Sequence, residues 1–420
     1  MNTRKKIITG LIILAVFAVP LFIFLSKTEK IRIALYGLNE KERTLITELC
    51  TAFLPENEQL VFSVLDDNQP LRKELQKHTD IDLVFAENSL AFEKAKAFFK
   101  QLDTKAFEKL ASVFSNGGEW IKIAHEKTEE STNSLKADNS YLYAFPLNAN
   151  VLELVFREIA FYKDELQYSI TSTAKLTELF QQAKEKYRYP LCFAGADNEV
   201  LSFIISGLLS ELRPDYKSEA YQALRTEIDF HKNLPADLQK VLNLLLAWEK
   251  AGYLHAQWYD LIKSDVENFL EFDQSAVACM MTGDDGPIAR DFLRGGVRKK
   301  MLFADTLRDM NLPARLLLLS VIEKKPPKKK SEVIEKICVY FQSEEAQYKI
   351  AKSLNFAAAE YGANTTAVLS NAADWIYSAQ SLVPSIDKIL FETRSERDAF
   401  FKEVRSYLQA KGNGYGAAEQ

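Results

Sequence analysis

The run from Ile7 to Leu25 (IITGLIILAVFAVPLFIFL) constrains this chain most, because it holds 19 residues without a charge. As a helix it is about 28 Å long, close to the roughly 30 Å hydrocarbon core of a bilayer. Arg4, Lys5 and Lys6 precede it, and an excess of positive residues holds that end in the cytoplasm. Lys27, Lys30 and Arg32 follow, so the bias is modest. The apolar core of a secretory signal usually spans about 7–15 residues. This run is longer, and no Ala-x-Ala site follows it. The sequence therefore predicts a signal anchor over residues 1–26, with a cleaved signal peptide as the alternative. Either way the expected localisation of the body is extracytoplasmic (periplasmic side), and an uncleaved run makes a single-pass cell-membrane protein. No second run of this length occurs, so the chain is not expected to be a channel or permease itself.

The remainder is long enough for two lobes of ordinary domain size. Of the 420 residues, 47% are hydrophobic and 26% charged, which excludes a disordered or fibrous chain. The net charge of −5 gives no basic footprint for nucleic acid. Cys50, Cys192, Cys279 and Cys338 are far apart and form no CxxC pair, which argues against a zinc module or a disulfide-built fold. His78, His125, His231 and His255 show no metal-ligand spacing. No metal and no cofactor are expected. Catalytic signatures are also missing: the chain has no GxSxG, no P-loop and no GxGxxG. Gly283-Asp284-Asp285-Gly286 supplies too few oxygen ligands to hold a divalent cation. The chain is expected not to be an enzyme.

Past the anchor the pattern alternates. IRIALY (31–36) reads as a strand, residues 40–54 as a helix with Leu45, Leu49 and Phe53 on one face, and QLVFSVL (59–65) as a strand. A short charged helix (70–78) and the strand IDLVFA (81–86) follow. This βαβαβ order predicts a parallel sheet with right-handed crossovers, whose ligand end carries the residues just past each strand. Those are Gly37, then Asp66, Asp67 and Asn68, then Glu87, Asn88 and Ser89; polar loop or helix-capping duty is the plainer reading for each. Residues 127–140 read as an exposed polar loop. Further helices are expected at 173–187, 200–212, 236–251 and 265–272, with Gly252 as a left-handed cap. Further strands are expected at 151–161, 189–194, 275–281, 301–304 and 316–322. The run Lys324–Lys330 (KKPPKKK) reads as a solvated loop, or as a docking patch for anionic lipid or an acidic permease face, and Ser331 as the cap of the next helix.

Five segments in order give the chain a resemblance. IRIALY with TAFLPEN and LVFSVL, then DIDLVFAENS, YAFPLNANVLELVFREIAFYK, LLLAWEKAGYL with VENFLEFDQSAVACMMTGDD, and FQSEEAQYKIAKSLNF together resemble the extracellular solute-binding proteins of ABC importers (family 1), in the branch with many sugar-binding members. Arg157-Glu158 and Gln274 depart from that pattern, and no aromatic follows the ACMM strand. The resemblance implies an α/β, two-lobed periplasmic-binding-protein-like fold (type II), preceded by one N-terminal transmembrane helix. The first lobe would comprise 31–146 plus 315–362, the second 147–312 plus 363–410, and 411–420 a flexible tail.

By matching position, the ligand-binding candidates are Glu87 and Asn88 (with Ser89) in the first lobe and Asn148 and Asn150 in the hinge segment. The second lobe offers Asp197, with Phe193 and Asn198, and Thr282 and Asp284, with Gly283. Trp375 lies near the late hinge. Amides and carboxylates suit polyol recognition because each hydroxyl both donates and accepts. Turn or cap duty for the asparagines and a core position for Trp375 are the competing readings; Trp120, Trp248 and Trp258 read as core. The implied function is a membrane-tethered extracellular protein that captures a small solute, such as a sugar, by hinge closure. Its partners would be that solute, ABC permease subunits and the membrane through the N-terminal helix, with no nucleic acid. The alternative is a solute-binding-like envelope sensor or interaction protein without a transport role. The acidic loop around Asp284 leaves a cationic or peptide ligand open.

Overall fold

The computed structural model describes residues 30–54, 59–103, 141–157, 172–212, 235–271, 276, 278–281, 297–301, 311–359, 363, 376 and 381–416. The expected anchor (1–26), the polar loop 127–140, and Thr282, Asp284 and Trp375 lie outside these residues. Among the described residues no helix is long and apolar enough to cross a membrane.

The amino-terminal unit follows the βαβαβ expectation. Strand β1 (Ile31–Tyr36) leads through helix α1 (Glu40–Phe53) to β2 (Leu60–Val64), and then through α2 (Leu71–Lys77) to β3 (Leu83–Glu87). Strand β1 pairs in parallel with both β2 and β3. Helix α1 starts at a capping box: Asn39 Oδ1 accepts from the Glu42 N–H at 2.9 Å, and Glu42 Oε2 accepts from the Asn39 N–H at 2.9 Å. That arrangement satisfies two otherwise orphaned donors. Helix α3 (Leu90–Lys94) follows directly, capped by Ser89. Strands β4 (Leu102–Asp103) and β5 (Tyr141–Leu142) form a separate ribbon.

Strand β6 (Phe145–Val151) and strand β7 (Glu153–Arg157) are divided by Leu152 alone, yet they belong to different sheets. The chain therefore crosses from one lobe's sheet to the other within a single residue. The second sheet runs β10-β7-β9-β8, with β8 at Leu191–Cys192, β9 at Ala278–Met281 and β10 at Val297–Met301. Its connecting helices are α4 (Thr173–Ala183), α5 (Asn198–Leu212), α6 (Ala236–Lys250) and α7 (Lys263–Glu271). Gly252 has φ +72°, the left-handed stop expected after α6. Trp248 and Trp258 are buried and donate to Thr177 Oγ1 and Glu249 Oε2 respectively, each at 3.0 Å.

The first sheet is completed by late segments. Strand β11 (Asn311–Val321) lies antiparallel between β3 and β6. Its LLLL core, residues 316–319, is buried and reads as continuously apolar because the strand is interior. Helices α8 (Lys328–Phe341) and α9 (Glu344–Leu354) lead to β12 (Ala357–Ala358) beside β6. Strand β13 (Ser381–Val383) pairs with the start of β11. Helices α10 (Ile386–Leu390) and α11 (Arg394–Gly416) end the described chain. The sequence pattern had marked neither helix. In α10 the five residues are too few to show a period.

The lysine-proline run departs in part from the solvated-loop reading. Helix α8 begins at Lys328 with Pro327 at its N-cap, one turn before Ser331. That brings Lys330 Nζ to 2.8 Å from Asp82 Oδ2, while Lys324 Nζ lies 2.6 Å from Asp82 Oδ1. Asp82 is fully buried and also accepts from the Arg32 N–H at 2.8 Å. Two lysines of the run are thus spent on one internal carboxylate that pins α8 to the first sheet. Asp82→Ala should lower the unfolding free energy by roughly 2–4 kcal/mol in urea denaturation, because it strands two partly buried ammonium groups and a backbone donor. A loss under 0.5 kcal/mol would show that water compensates them.

Candidate functional site

The parallel strands set their ligand end at Gly37, Asp67 and Glu87, and the amino terminus of α5 faces it. A cleft of about 230 Å³ opens there, lined among others by Gly37, Asn39, Asp67, Glu87, Asn198, Glu199, Arg315, Lys388, Arg397 and Asp398. Gly37 has φ +69°, and a Cβ on it would lie 3.0 Å from Glu87 Oε1. Glycine both permits that backbone conformation and leaves room for the carboxylate.

Glu87 is the centre of the charge arrangement. Its Oε1 accepts from Lys388 Nζ and from Arg397 Nη1, the latter at 2.7 Å, and its Oε2 from Arg315 Nε at 3.0 Å. Arg315 Nη2 reaches Glu42 Oε2 at 2.6 Å, so the residue that closes the α1 capping box also answers the guanidinium. Arg315 Nη1 lies 3.8 Å from Glu199 Oε1 on α5. Burial alone raises the Glu87 carboxyl, but Lys388, Arg397 and Arg315 outweigh it and hold the group well below the usual carboxylate range. Burial works against the Arg315 charge, and Glu42, Glu199 and Glu87 together keep it protonated.

The cleft is strapped from its far side by α11. Arg394 N–H donates to Asp67 O at 2.8 Å and Ser395 Oγ to Asn68 Oδ1 at 2.7 Å. Asn198 Nδ2 donates to Asp398 Oδ1 at 2.8 Å. Two turns on, Arg405 Nη2 donates to Gly195 O at 3.1 Å and Ala196 O at 2.7 Å. Helix α11 therefore touches the ends of β2 and β3 with its first turns and the β8–α5 loop with a later one. Helix α10 rests on α5 through Ser202, which donates to Asp387 Oδ1, and through the Ile386 N–H, which donates to Ser206 Oγ at 2.8 Å.

The structure distributes the candidate residues among different duties. Glu87 lines the cleft with all its described contacts to protein cations. Asn88 is buried and its amide is engaged at both ends, donating to Ala314 O at 3.0 Å and accepting from the Leu316 N–H at 2.7 Å. Asp197 Oδ1 caps α5, accepting from the N–H groups of Glu199 (2.7 Å) and Val200 (3.2 Å). Asn150 Nδ2 donates to Glu199 Oε1 at 3.2 Å, linking β6 to α5. Asn148 stands two positions before Asn150, on the same side of β6. It is fully buried, and among the described residues neither its amide nitrogen nor its oxygen has a hydrogen-bond partner. A buried amide left so costs about 1–3 kcal/mol, and such a group calls for a partner the protein itself does not provide.

Four further members of the site are Glu42, Arg315, Lys388 and Arg397. Only Arg315 carried a visible signal, a single charge inside the apolar run NLPARLLLLS. Among the described residues no cluster of His, Cys, Asp and Glu could hold a metal ion.

No protein-family model and no curated protein sequence matches the chain. Solved structures do. The bacterial solute receptor AcbH, which has an exclusive preference for β-D-galactopyranose, is 13% identical with a TM-score of 0.64, covering 94% of this chain and 99% of that one. The binding protein MsmE from Bacillus subtilis, in an open conformation, is 14% identical with a TM-score of 0.66, covering 93% and 97%. RafE from Streptococcus pneumoniae is 14% identical with a TM-score of 0.60, covering 90% and 97%. At these identities the likeness establishes the fold, the two-lobed α/β architecture of solute-binding receptors.

The Glu87 cluster fixes a pH dependence. A carboxyl held below its unfolded value contributes stability that is complete above that value, 4.5, and is lost as pH falls toward the folded one. Unfolding free energy should therefore decline as pH drops from about 6 to about 3, and Glu87→Gln should flatten that component. The same variant should cost about 3–5 kcal/mol at neutral pH, since three cations lose their shared anion. Equal pH slopes for variant and parent in urea titrations would remove Glu87 as the cause.

Proposed function

We propose that this protein is an extracytoplasmic receptor, tethered to the cell membrane by Ile7–Leu25, that captures a small sugar between its two lobes and hands it to an ABC permease. The observation that carries the reading is Asn148. A fully buried amide with an unfilled donor and an unfilled acceptor, on the strand that crosses from one lobe's sheet to the other, matches a solute hydroxyl that also donates and accepts. The likeness to AcbH, MsmE and RafE supports the class of ligand, and RafE is also known in complex with raffinose.

The chemistry of closure follows from the charges. Glu199 on α5 meets Asn150 and Arg315 across the cleft, so part of the closing energy comes from protein groups alone. A solute then needs to supply only the difference between open and closed states. The role is binding, not catalysis: in the cleft Glu87 and Glu199 are paired with cations, and Asp387 accepts from the Ser202 and Ser385 hydroxyls.

A thermal-shift screen on residues 27–420 with mono- and oligosaccharides, polyols, amino acids and peptides tests this reading. A true ligand at a hundredfold excess over Kd should stabilise the fold by about 2.7 kcal/mol. Asn148→Ala should leave the solute-free protein as stable or more so, while weakening the solute about tenfold or more, the value of one to two buried hydrogen bonds. Failure of every sugar in the panel to raise Tm would overturn the sugar reading and favour the sensor alternative. Unchanged affinity in Asn148→Ala would take that amide out of the site.

A further inference from the structure

Cys192 and Cys279 are 87 positions apart in the sequence, yet β8 and β9 are parallel neighbours whose register sets these two residues directly opposite each other. Val155 of β7 is the next residue in the same row, paired with Cys279. All three lie in one small buried cluster with Val266 and Leu270 of α7, which places both sulfur-bearing side chains on one face of the sheet. Both cysteines are reduced, as are Cys50 and Cys338. Parallel neighbours run about 4.7–4.9 Å apart, within the about 4.4–6.8 Å that a disulfide spans between Cα atoms.

We propose that Cys192 and Cys279 form a reversible cross-strand disulfide when the protein meets a disulfide oxidant. The oxidant class is a small disulfide such as oxidised glutathione, of the kind that the outer side of a membrane sustains. The Cys192 thiolate attacks one sulfur of the oxidant and releases one glutathione thiolate, leaving a mixed disulfide. The Cys279 thiolate then attacks the Cys192 sulfur, forms the internal S–S bond and releases the second glutathione. Two protein thiols lose their protons and two electrons, and the oxidant becomes two thiols.

Access and reversibility follow from the sheet. Strand β8 is an edge strand of two residues, so local opening there costs little beside global unfolding. Neighbouring strands lie about 4.7–4.9 Å apart, while a relaxed disulfide holds its Cβ atoms near about 3.8 Å. The bond must draw β8 inward, and a strained bond is the readily reduced kind. The strands it joins matter. Strand β8 leads through Ala194 to Asp197 and the α5 terminus at the cleft, and β9 leads in sequence into Thr282 and Asp284.

The experiment uses the full chain, reduced and desalted, then incubated with oxidised glutathione and quenched in acid denaturant. Free thiols should fall from four to two, and non-reducing peptide mapping should find the Cys192 and Cys279 peptides linked. Reduction by dithiothreitol should restore four thiols. Cys192→Ser and Cys279→Ser should each keep Cys50 and Cys338 free and form no internal bond. Four thiols persisting in the parent, a link to Cys50 or Cys338, or glutathione adducts without an internal bond would each overturn the proposal. The mapping of the parent needs no variant, so a serine substitution that fails to fold leaves the test intact.

Discussion

A single buried carboxylate, Glu87, organises this molecule. Taking an isolated carboxylate out of water costs several kcal/mol, so Glu87 at the end of β3 must be answered. Arg315 comes from β11, Lys388 from α10 and Arg397 from α11. These partners enter the fold from three separate elements. Neutralising Glu87 therefore requires the late strand of the first sheet and both terminal helices to be in place. Glu42 and Glu199 balance the surplus cation. The net gain in stability from such a cluster is small, because desolvation consumes most of the attraction. Its effect is on arrangement: α11 has one docked position in which Arg397 finds Glu87 while Arg405 finds the carbonyls of Gly195 and Ala196.

That docking bears on motion. Only Leu152 separates β6 from β7 at the crossing between sheets, and a connection so short permits rotation about few dihedrals. Helix α11 touches both sides of the cleft, so any opening must slide it or break its contacts with Asp67, Asn68 and Glu87 on one side or with Gly195 and Ala196 on the other. The contacts on the first side include two exposed pairs, Ser395 to Asn68 and Arg394 to Asp67, which water can replace at small cost. Those on the second side are carbonyl bonds from a half-buried guanidinium, which are dearer to lose. The buried Arg397–Glu87 pair also holds α11 to the first sheet, so neither side releases the helix cheaply.

Local pattern made much of this legible. The β1–α1–β2–α2–β3 unit shows in the sequence because each element declares itself by period, cap or terminal glycine. Gly252 was visible for the same reason. The strand ends at Gly37, Asp67 and Glu87 followed from the parallel sheet. What local pattern cannot show is who pairs with whom. Lys388 and Arg397 lie 301 and 310 positions from Glu87, in two different helices, and neither shows a spacing that points to it. The run KKPPKKK misled for a related reason. Charge-rich composition reads as solvated, and nothing near it announces that Asp82, inside an apolar strand, needs two cations. Cys192 and Cys279 lie 87 positions apart in the sequence, and only the register of β8 and β9 sets them side by side.

The polar residues suggested by the resemblance can be sorted by whether the protein itself satisfies them; of these Glu87 lines the cleft. Asn88, Asp197 and Glu87 sit where the sequence resemblance places ligand contacts, yet the amide of Asn88 is consumed by β11, an oxygen of Asp197 by the α5 amino terminus, and the Glu87 carboxylate by three cations. A solute that took those groups would have to outbid partners already in place, losing about as much as it gained. Asn148 has no such partner, and it is held on an interior strand that does not need an amide there. The same reasoning explains how 13% identity coexists with a shared fold: the sheet demands apolar alternation and paired charges, which many sequences meet. What one receptor binds rests on the few polar atoms left unmatched.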